Sequence, residues 1–262
     1  MLTMKRLTTA LLCLFAFTVV KSQVKITLQP DNYGVSLTPS PYGIFFEEIN
    51  HAADGGLWSE MIRNRSFEDS QDYAEAWQAL EGTTLSLASA NLLNSAQKQY
   101  LHVEPSNGVA SIGNEGYWGM RLDAQPFYTL TFFARADADF ATTMTASLVP
   151  NDDNQVLLTA SADITIGAMW QQFKLTIPDN GQLKANGHLV LHFSNDEPFD
   201  IDVVSLMPAN TYKGHGCRTD LAQMLEDLHP RFMRFPGGCY IEGEYAYGER
   251  NRFEWKKTIG PQ

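Results

Sequence analysis

The sequence is poor in cysteine and in positive charge. It has 3 cysteines among 262 residues and no Cys-x-x-Cys pair, so a cysteine-ligated zinc site is not predicted. Lys and Arg number 19 against 30 Asp and Glu, which gives a net charge of −11. This acidic balance disfavours nucleic acid and anionic membranes as partners. Neutral sugars remain compatible with it, because their recognition relies on hydrogen bonds and aromatic surfaces.

The first 22 residues have the pattern of a signal peptide. Lys5 and Arg6 precede an uncharged apolar run over residues 7–20, and Val20-Lys-Ser22 supplies a cleavage site before Gln23. Cleavage leaves 16 basic against 30 acidic residues, a charge of −14. We therefore expect a secreted or periplasmic protein. An uncleaved membrane anchor is the alternative, although the run is short for a membrane span.

The cysteines show no pattern of lipidation or pairing. Leu12 stands directly before Cys13, where a lipobox requires a small residue. Cys217 and Cys239 remain after cleavage, at opposite ends of a predicted strand. Their expected separation exceeds the roughly 7 Å that a disulfide tolerates between Cα atoms, so we expect two free thiols.

The segment Phe232–Gly243 is typical of a buried strand that ends abruptly in a glycine turn. Residues 232–235 have no helical period, Pro236 cannot extend a ladder, and Gly237-Gly238 permit positive φ and close approach to a ligand. Upstream, residues 219–228 predict a helix. The order helix, strand, loop fits an α/β barrel or a doubly wound sheet, in which ligands bind beyond the carboxyl ends of strands. An ordinary strand-to-turn junction is the alternative.

Residues 43–47 predict another strand, and its two faces differ in character. Ile44 and Phe46 share one face, which suits contact with the helices of a parallel barrel. Glu47 then points inward at the barrel mouth and Glu48 points away. The two neighbours are therefore not a catalytic pair, because a general acid and a nucleophile converge on one bond from about 5 Å apart. A structural ion pair is the alternative role for Glu47.

The middle of the chain has a different sequence pattern from the two segments that flank it. Between about residues 69 and 210, short strands alternate with turns and no helical period intervenes, which predicts a β-sandwich. The predicted strands are residues 128–135, 143–149, 155–160, 170–177, 188–194 and 199–207. Nearer the N-terminus, the pattern predicts a strand at Val24–Leu28 and a short helix at residues 57–64.

Tyr42-Gly-Ile-Phe-Phe-Glu47 and Arg234-Phe-Pro-Gly-Gly238 occur together in one chain, and residues 55–68 and 251–261 extend the pattern. The two motifs resemble the first and second barrel strands of glycoside hydrolase family 51, the α-L-arabinofuranosidases. The resemblance implies a fold that combines α/β and all-β parts. It is the start of a (β/α)8 TIM barrel, interrupted by an inserted β-sandwich of jelly-roll, galactose-binding type.

The resemblance also implies a domain order: a signal peptide at residues 1–22, a strand of an absent C-terminal β-sandwich at 23–41, the first barrel strand and helix at 42–68, the inserted domain at 69–210, and the second barrel helix and strand at 211–262, where the chain is expected to be truncated. The inserted domain resembles carbohydrate-binding modules of families 4 and 9. It either binds sugar or only braces the barrel. Related modules hold a structural calcium ion where Glu68 and Asp202 are expected.

The implied activity is retaining hydrolysis of terminal, non-reducing α-L-arabinofuranosyl groups from arabinan, arabinoxylan or oligosaccharides. The implied substrate-binding residues are Glu47, Arg234, Gly237, Gly238 and Cys239, the last with a packing role as its alternative. The acid/base and nucleophile glutamates are expected beyond residue 262, so this chain is expected to hold no catalytic residue and to be inactive alone. The chemistry needs no cofactor or metal.

Two other functions stay open. A secreted glycan-binding β-sandwich protein without catalysis gives no role to Glu47, Arg234 and the Pro-Gly-Gly turn. Another hydrolase specificity on the same fold is compatible with two barrel strands. The expected partners are arabinose-containing glycans, with no nucleic acid and no membrane span after cleavage, and an oligomer is compatible with the full-length enzyme.

Overall fold

The computed structural model describes residues 25–29, 31, 34, 42–152, 156, 158–179 and 184–238. Its contacts divide the chain into two units, residues 1–41 and residues 42–262. In the first unit, residues 25–29 are exposed and belong to no strand, so the strand predicted at Val24–Leu28 is wrong over its described part. Alternating polarity favours a strand only where a partner supplies ladder hydrogen bonds. The predicted signal peptide lies outside the described residues, and no described helix is long and apolar enough to cross a membrane.

The second unit is mostly β-structure. In its described part, β1 (Ile44–Phe45) pairs in parallel with β13 (Met233–Arg234), and eleven strands between them form two antiparallel sheets. These strands are β2 Trp77–Leu80, β3 Thr84–Ala88, β4 Tyr100–Glu104, β5 Ala110–Asn114, β6 Met120–Asp123, β7 Phe127–Arg135, β8 Phe140–Pro150, β9 Leu158–Ile166, β10 Gln171–Pro178, β11 Lys184–Phe193 and β12 Phe199–Pro208. One sheet has the order β10-β7-β12-β4-β3, and the other has the order β2-β5-β11-β8-β9 with β6 also paired to β11. We call residues 77–208 the two-sheet region.

The two sheets share one hydrophobic core. Phe132 of β7 packs edge-on against Phe193 of β11 at a ring-centroid distance of 6.2 Å, and Phe193 lies 4.7 Å from Phe199 of β12. All three side chains are fully buried. Since β7 and β12 belong to the five-stranded sheet and β11 to the other, the rings join the two layers. Burying one such side chain contributes about 1.5–3 kcal/mol.

The six strands predicted between residues 128 and 207 are confirmed as β7 to β12, with the largest shift at β9, which was predicted at residues 155–160 and spans Leu158–Ile166. The prediction missed β2 to β6. Strand β5 explains why, since its sequence Ala-Ser-Ile-Gly-Asn is buried at every position and shows no alternation of polar and apolar side chains. Strands β2 and β6 are four residues long, too short for a reliable period.

The short helix predicted at residues 57–64 is wrong. These residues form turns and extended backbone held by contacts to β12: the Met61 N–H donates to the Leu206 carbonyl at 3.1 Å. The Glu60 carboxylate accepts the Leu206 N–H at 2.9 Å and the Ser205 hydroxyl at 2.6 Å. Ile62 is fully buried in the core. The helical spacing therefore describes core contacts to a strand, since tertiary hydrogen bonds outweigh a weak local preference.

The helix predicted at residues 219–228 is confirmed as α1 (Thr219–Asp227), preceded by a 3-10 helix at Tyr212–Gly214. Asp220 in the first turn suits the positive end of the helix dipole. Ile44 of β1 and Met233 of β13 line a cavity together with Leu225 of the helix. The helix therefore lies over the apolar face of the strand pair, and we call β1, α1 and β13 the paired-strand region.

Candidate active site

Glu47 and Arg234 share one face of the strand pair. The register sets Phe45 opposite Arg234, whose guanidinium carbon lies 4.9 Å from the centre of the Phe45 ring. On the opposite face, the rings of Phe46 and Phe235 are 5.7 Å apart. Because side chains alternate along a strand, Glu47 follows Phe45 on the Arg234 side. This is the arrangement that the strand alternation predicts.

The Gly237-Gly238 turn lies directly against Glu47. The Gly238 N–H points at Oε1 of Glu47 at 3.4 Å, and Arg234 Nη2 lies 3.7 Å from the position that a Cβ of Gly238 would occupy. Gly237 has φ +124°, and a Cβ there would be 2.5 Å from Cγ of Glu47. Only glycine fits this backbone so close to the carboxylate. Glu47 and Arg234 therefore flank Gly238 from two neighbouring strands.

Backbone hydrogen bonds carry the pairing past the two strands. The Phe46 N–H donates to the Arg234 carbonyl at 2.9 Å, and the Glu48 N–H donates to the Pro236 carbonyl at 3.0 Å. Glu47 lies between these two bonds, so its backbone position is fixed on both sides. A group held in this way needs little reorganisation to meet a ligand.

Glu48 turns away from this site. Its carboxylate accepts the Ala53 N–H at 2.7 Å and closes the turn that follows β1. The neighbouring glutamates therefore have different surroundings: Glu47 lies beside two glycines and Glu48 supports a loop. The expectation that they do not act as a pair agrees with this geometry.

The site combines complementary hydrogen-bonding groups at the carboxyl ends of two parallel strands. Glu47 is half-buried and accepts hydrogen bonds, while Arg234 is exposed and presents guanidinium donors. Neighbouring hydroxyl groups of a sugar both donate and accept, so they match such a set. Ligands of parallel α/β folds bind at this end of the strands.

Of Cys217 and Cys239, the structure describes only Cys217. Cys239, an expected substrate-binding residue, lies outside the described residues. Cys217 is half-buried and carries a free thiol, in the part of the chain that the structure describes. A contact of Cys239 with substrate stays a prediction.

Within the described ranges, no group of three or more His, Cys, Asp and Glu side chains is arranged to hold a metal ion. His188 and His192 have the four-residue spacing of paired ligands on a helix. Both lie on strand β11, where four residues span about 13 Å. His188 contacts Asn151 at 2.9 Å, and His192 contacts Glu81 at 3.2 Å. The calcium expected near Glu68 and Asp202 stays a prediction.

Three comparisons with known proteins agree on the family that this chain resembles. The family model described as the alpha-L-arabinofuranosidase 1 domain matches residues 224–262. Alpha-L-arabinofuranosidase 1 of Arabidopsis thaliana is 36% identical over 257 residues, which is 90% of this chain and 37% of the relative. The crystal structure of an arabinose-bound family 51 α-L-arabinofuranosidase aligns with a TM-score of 0.75 and 28% identity, over 84% of this chain and 37% of that one. Over most of its length, the chain is similar to α-L-arabinofuranosidases of glycoside hydrolase family 51.

These similarities confirm the resemblance to family 51 carried by the two motifs. An extracellular exo-alpha-L-arabinofuranosidase of Streptomyces chartreusis is 32% identical over 90% of this chain, and the match covers 29% of that relative. The chain thus spans about a third of the length of the curated family members that it matches. The contact of Glu47 with the Gly237-Gly238 turn lies at the C-terminal end of the described residues.

Tyr117 and Trp118, two aromatic residues beside the loop that follows β1, were not among the residues predicted for the site. The turn between β5 and β6 places Tyr117 against the loop that follows β1, with its ring 5.0 Å from His51. Next to it, Trp118 projects into solvent. The signal in the sequence is a pair of aromatic residues between Gly116 and Gly119, which is typical of an exposed turn rather than of a core strand.

Proposed function

We propose that this chain is part of an enzyme that removes terminal, non-reducing α-L-arabinofuranosyl residues from arabinan, arabinoxylan and related oligosaccharides by retaining hydrolysis. The observation that carries the proposal is the approach of Glu47 and Arg234 to Gly238 at the carboxyl ends of two parallel strands, in a chain similar to family 51 enzymes. In such hydrolysis one carboxylic acid protonates the leaving oxygen while a carboxylate attacks the anomeric carbon, and water then cleaves the glycosyl-enzyme bond.

Glu47, Arg234, Gly237 and Gly238 hold the sugar in this proposal. The Glu47 carboxylate accepts hydrogen bonds from sugar hydroxyls, and Arg234 donates hydrogen bonds and keeps a nearby carboxylate ionised. The glycines keep the turn free of side chains where the ring must approach. These roles position the substrate, and the bond-breaking carboxylates come from the remaining part of the enzyme.

The proposed architecture is a TIM barrel whose first two strands are β1 and β13, with the two-sheet region inserted between β1 and α1. The parallel pairing and the helix over its apolar face support this reading. The contacts of Glu60 and Ile62 with the two-sheet region favour an inserted β-sandwich that starts near residue 59, about ten residues before the predicted boundary.

The proposed location is outside the cytoplasm. The signal-peptide pattern of residues 1–22 supports it, and so does a relative named as extracellular. The partners are neutral, arabinose-containing glycans, which are compatible with an acidic protein.

The proposal is tested with a panel of 4-nitrophenyl glycosides. We expect the complete enzyme that contains this region to hydrolyse the α-L-arabinofuranoside and to release β-linked xylose much more slowly. The chain of 262 residues should release nothing from either substrate, because positioning residues alone do not split a glycosidic bond. Turnover of the arabinofuranoside by the 262-residue chain would contradict the assignment of roles. A complete enzyme that prefers another glycoside would support a different hydrolase specificity.

A glycan-binding protein without catalysis is the competing function. It gives no reason for the closely packed contact between Glu47 and the Gly237-Gly238 turn, which lies outside the two sheets. A complete protein that binds arabinan and hydrolyses no member of the panel would favour this alternative.

A further inference from the structure

An open groove of about 580 Å³ lies on the six-stranded sheet of the two-sheet region. Its lining combines polar and apolar surface and includes Gln78 of β2, His188 of β11 and Asn151, together with one basic and one acidic residue, Arg63 and Glu115. Trp118, in the turn between β5 and β6, forms part of its border. The volume falls in the range of small-ligand sites, and an aromatic ring beside convergent polar groups is a common composition of such sites.

Trp118 is unusual both in exposure and in backbone. Its side chain is 78% exposed, and its φ of +57° lies in the left-handed region that a residue with a Cβ adopts at a cost of about 1 kcal/mol or more. The following residue, Gly119, has φ +90° and packs against Asn186. An indole held in solvent on strained backbone gains little from burial, so burial does not explain its position.

The neighbouring ring fixes this turn to the loop that follows β1. Tyr117 lies so close to Gly55 that a Cβ there would be 2.4 Å from the Tyr117 ring. His51 packs against both aromatic residues, at 5.0 Å from Tyr117 and 5.8 Å from Trp118. His51 is four residues beyond Glu47, a span of at most about 14 Å. The exposed indole is therefore attached, through His51, to the loop that follows Glu47.

We propose that Trp118 and the adjacent groove bind the main chain of a neutral, arabinose-containing polysaccharide, outside the position of the sugar that is cleaved. The two-sheet region then contributes a subsite to the enzyme instead of only bracing the barrel. This inference rests on the proposed function for the identity of the polymer.

The chemistry of the groove suits a neutral sugar chain. The indole presents an apolar face to the C–H groups of a sugar ring, while Gln78 and Asn151 offer both donors and acceptors to its hydroxyls. Burial lowers the pKa of His188, so its imidazole is neutral at neutral pH and can also donate and accept. The sequence has 30 acidic and 19 basic residues, and this negative net charge disfavours a polyanionic sugar chain as the ligand.

Affinity electrophoresis of the 262-residue chain tests the proposal. Native gels containing arabinan, arabinoxylan or polygalacturonate are run with the wild type, Trp118→Ala, Trp118→Phe and the control Tyr73→Ala. Tyr73 is also an exposed aromatic residue, at 61%, but it does not line the groove. Superimposable far-UV circular dichroism spectra establish that the variants are folded.

We expect arabinan or arabinoxylan to retard the wild type and Tyr73→Ala equally. Trp118→Ala should lose at least about fivefold in affinity, the scale of one aromatic contact, and Trp118→Phe should recover part of it. No retardation of the wild type, equal retardation of Trp118→Ala, or retardation by polygalacturonate alone overturns the proposal. Hydrolysis of an aryl arabinofuranoside does not require this groove, so failure of the proposed function is recognised separately.

Discussion

The two-sheet region and the paired-strand region differ in how completely they bury their apolar side chains. Phe132, Phe193 and Phe199 of the sheets are fully buried. In contrast, Phe235 and Met233 of the strand pair are 52% and 49% exposed, and helix α1 has no buried residue. Six strands of the first region, β7 to β12, have eight to eleven residues each, whereas β1 and β13 have two residues each.

This difference suggests different roles for the two regions, stability for the two sheets and sugar binding for the strand pair. The two sheets close a core of their own, so we expect a region of this size to fold independently. The paired strands hold the residues proposed to bind sugar, yet their apolar face is only partly covered by α1, since Met233 and Phe235 stay half-exposed. Such a face is a site for further packing, as in a complete barrel. We therefore expect core changes to affect folding and strand-pair changes to affect chemistry.

The largest expected effect comes from moving the boundary of the two-sheet region. A fragment of residues 59–210 should unfold in one cooperative transition, because it retains Glu60, Ile62 and Phe67 in their contacts with the sheets. A fragment of residues 69–210 loses two fully buried side chains, each contributing about 2–5 kcal/mol, and should lack a cooperative transition. Calorimetry of both fragments checks this. Equal melting curves would show that residues 59–68 are not part of the core.

A pair of phenylalanine substitutions sharpens the same contrast. Phe193→Ala removes a fully buried ring that contacts Phe132 and Phe199, and we expect a loss of about 3–5 kcal/mol in the free energy of unfolding. Phe235→Ala is the matched control in the strand pair, and its half-exposed ring should cost less than about 1 kcal/mol in this chain. Urea titration measures both. A larger loss from Phe235→Ala would reverse the comparison.

A smaller effect concerns Asp202, a charged residue inside the two-sheet region. Its side chain is fully buried, Oδ1 accepts the Val203 N–H at 2.7 Å, and Oδ2 has no hydrogen-bond partner among the described residues. Burial raises the pKa of Asp202 to about 7. Because this folded pKa exceeds the unfolded value near 4, the contribution of Asp202 to stability in calcium-free buffer is fully present below about pH 4 and is lost as pH rises through 7.

Asp202→Asn should remove this contribution. We expect the free energy of unfolding of the variant, relative to that of the wild type, to rise by at least about 1 kcal/mol from pH 5 to pH 8. Urea unfolding at the two pH values measures this rise. The exposed Asp152→Asn serves as the control and should follow the wild type at each pH. A stability difference between Asp202→Asn and the wild type that does not change with pH would mean that Asp202 keeps its charge in the folded protein.

The sequence was most informative where local pattern and tertiary role agree. Strand alternation over residues 43–47 predicted the opposite orientations of Glu47 and Glu48, and period-2 patterns located β7 to β12. The Pro-Gly-Gly turn beside a strand end identified the position where backbone approaches a carboxylate. In these places the local alternation of side chains is sufficient to set the direction in which each side chain points.

The prediction failed where distant contacts decide the structure. The helical spacing of residues 57–64 comes from burial against β12, a strand more than 130 residues further along the chain. Strand β5 is buried on both sides and has no alternation to detect. The approach of Trp118 to His51 joins two turns that no local pattern connects. Each case depends on packing between segments, which a single sequence does not display.

The central claim is that Glu47, and not its neighbour Glu48, belongs to the sugar-binding site. Its most direct test compares Glu47→Gln with Glu48→Gln in the complete enzyme, with kcat/KM measured on 4-nitrophenyl α-L-arabinofuranoside. We predict a fall of about a hundredfold or more for Glu47→Gln, because a charged hydrogen bond in the transition state is lost, and less than about fivefold for Glu48→Gln. An unchanged kcat/KM for Glu47→Gln, or a larger loss for Glu48→Gln, would contradict the account.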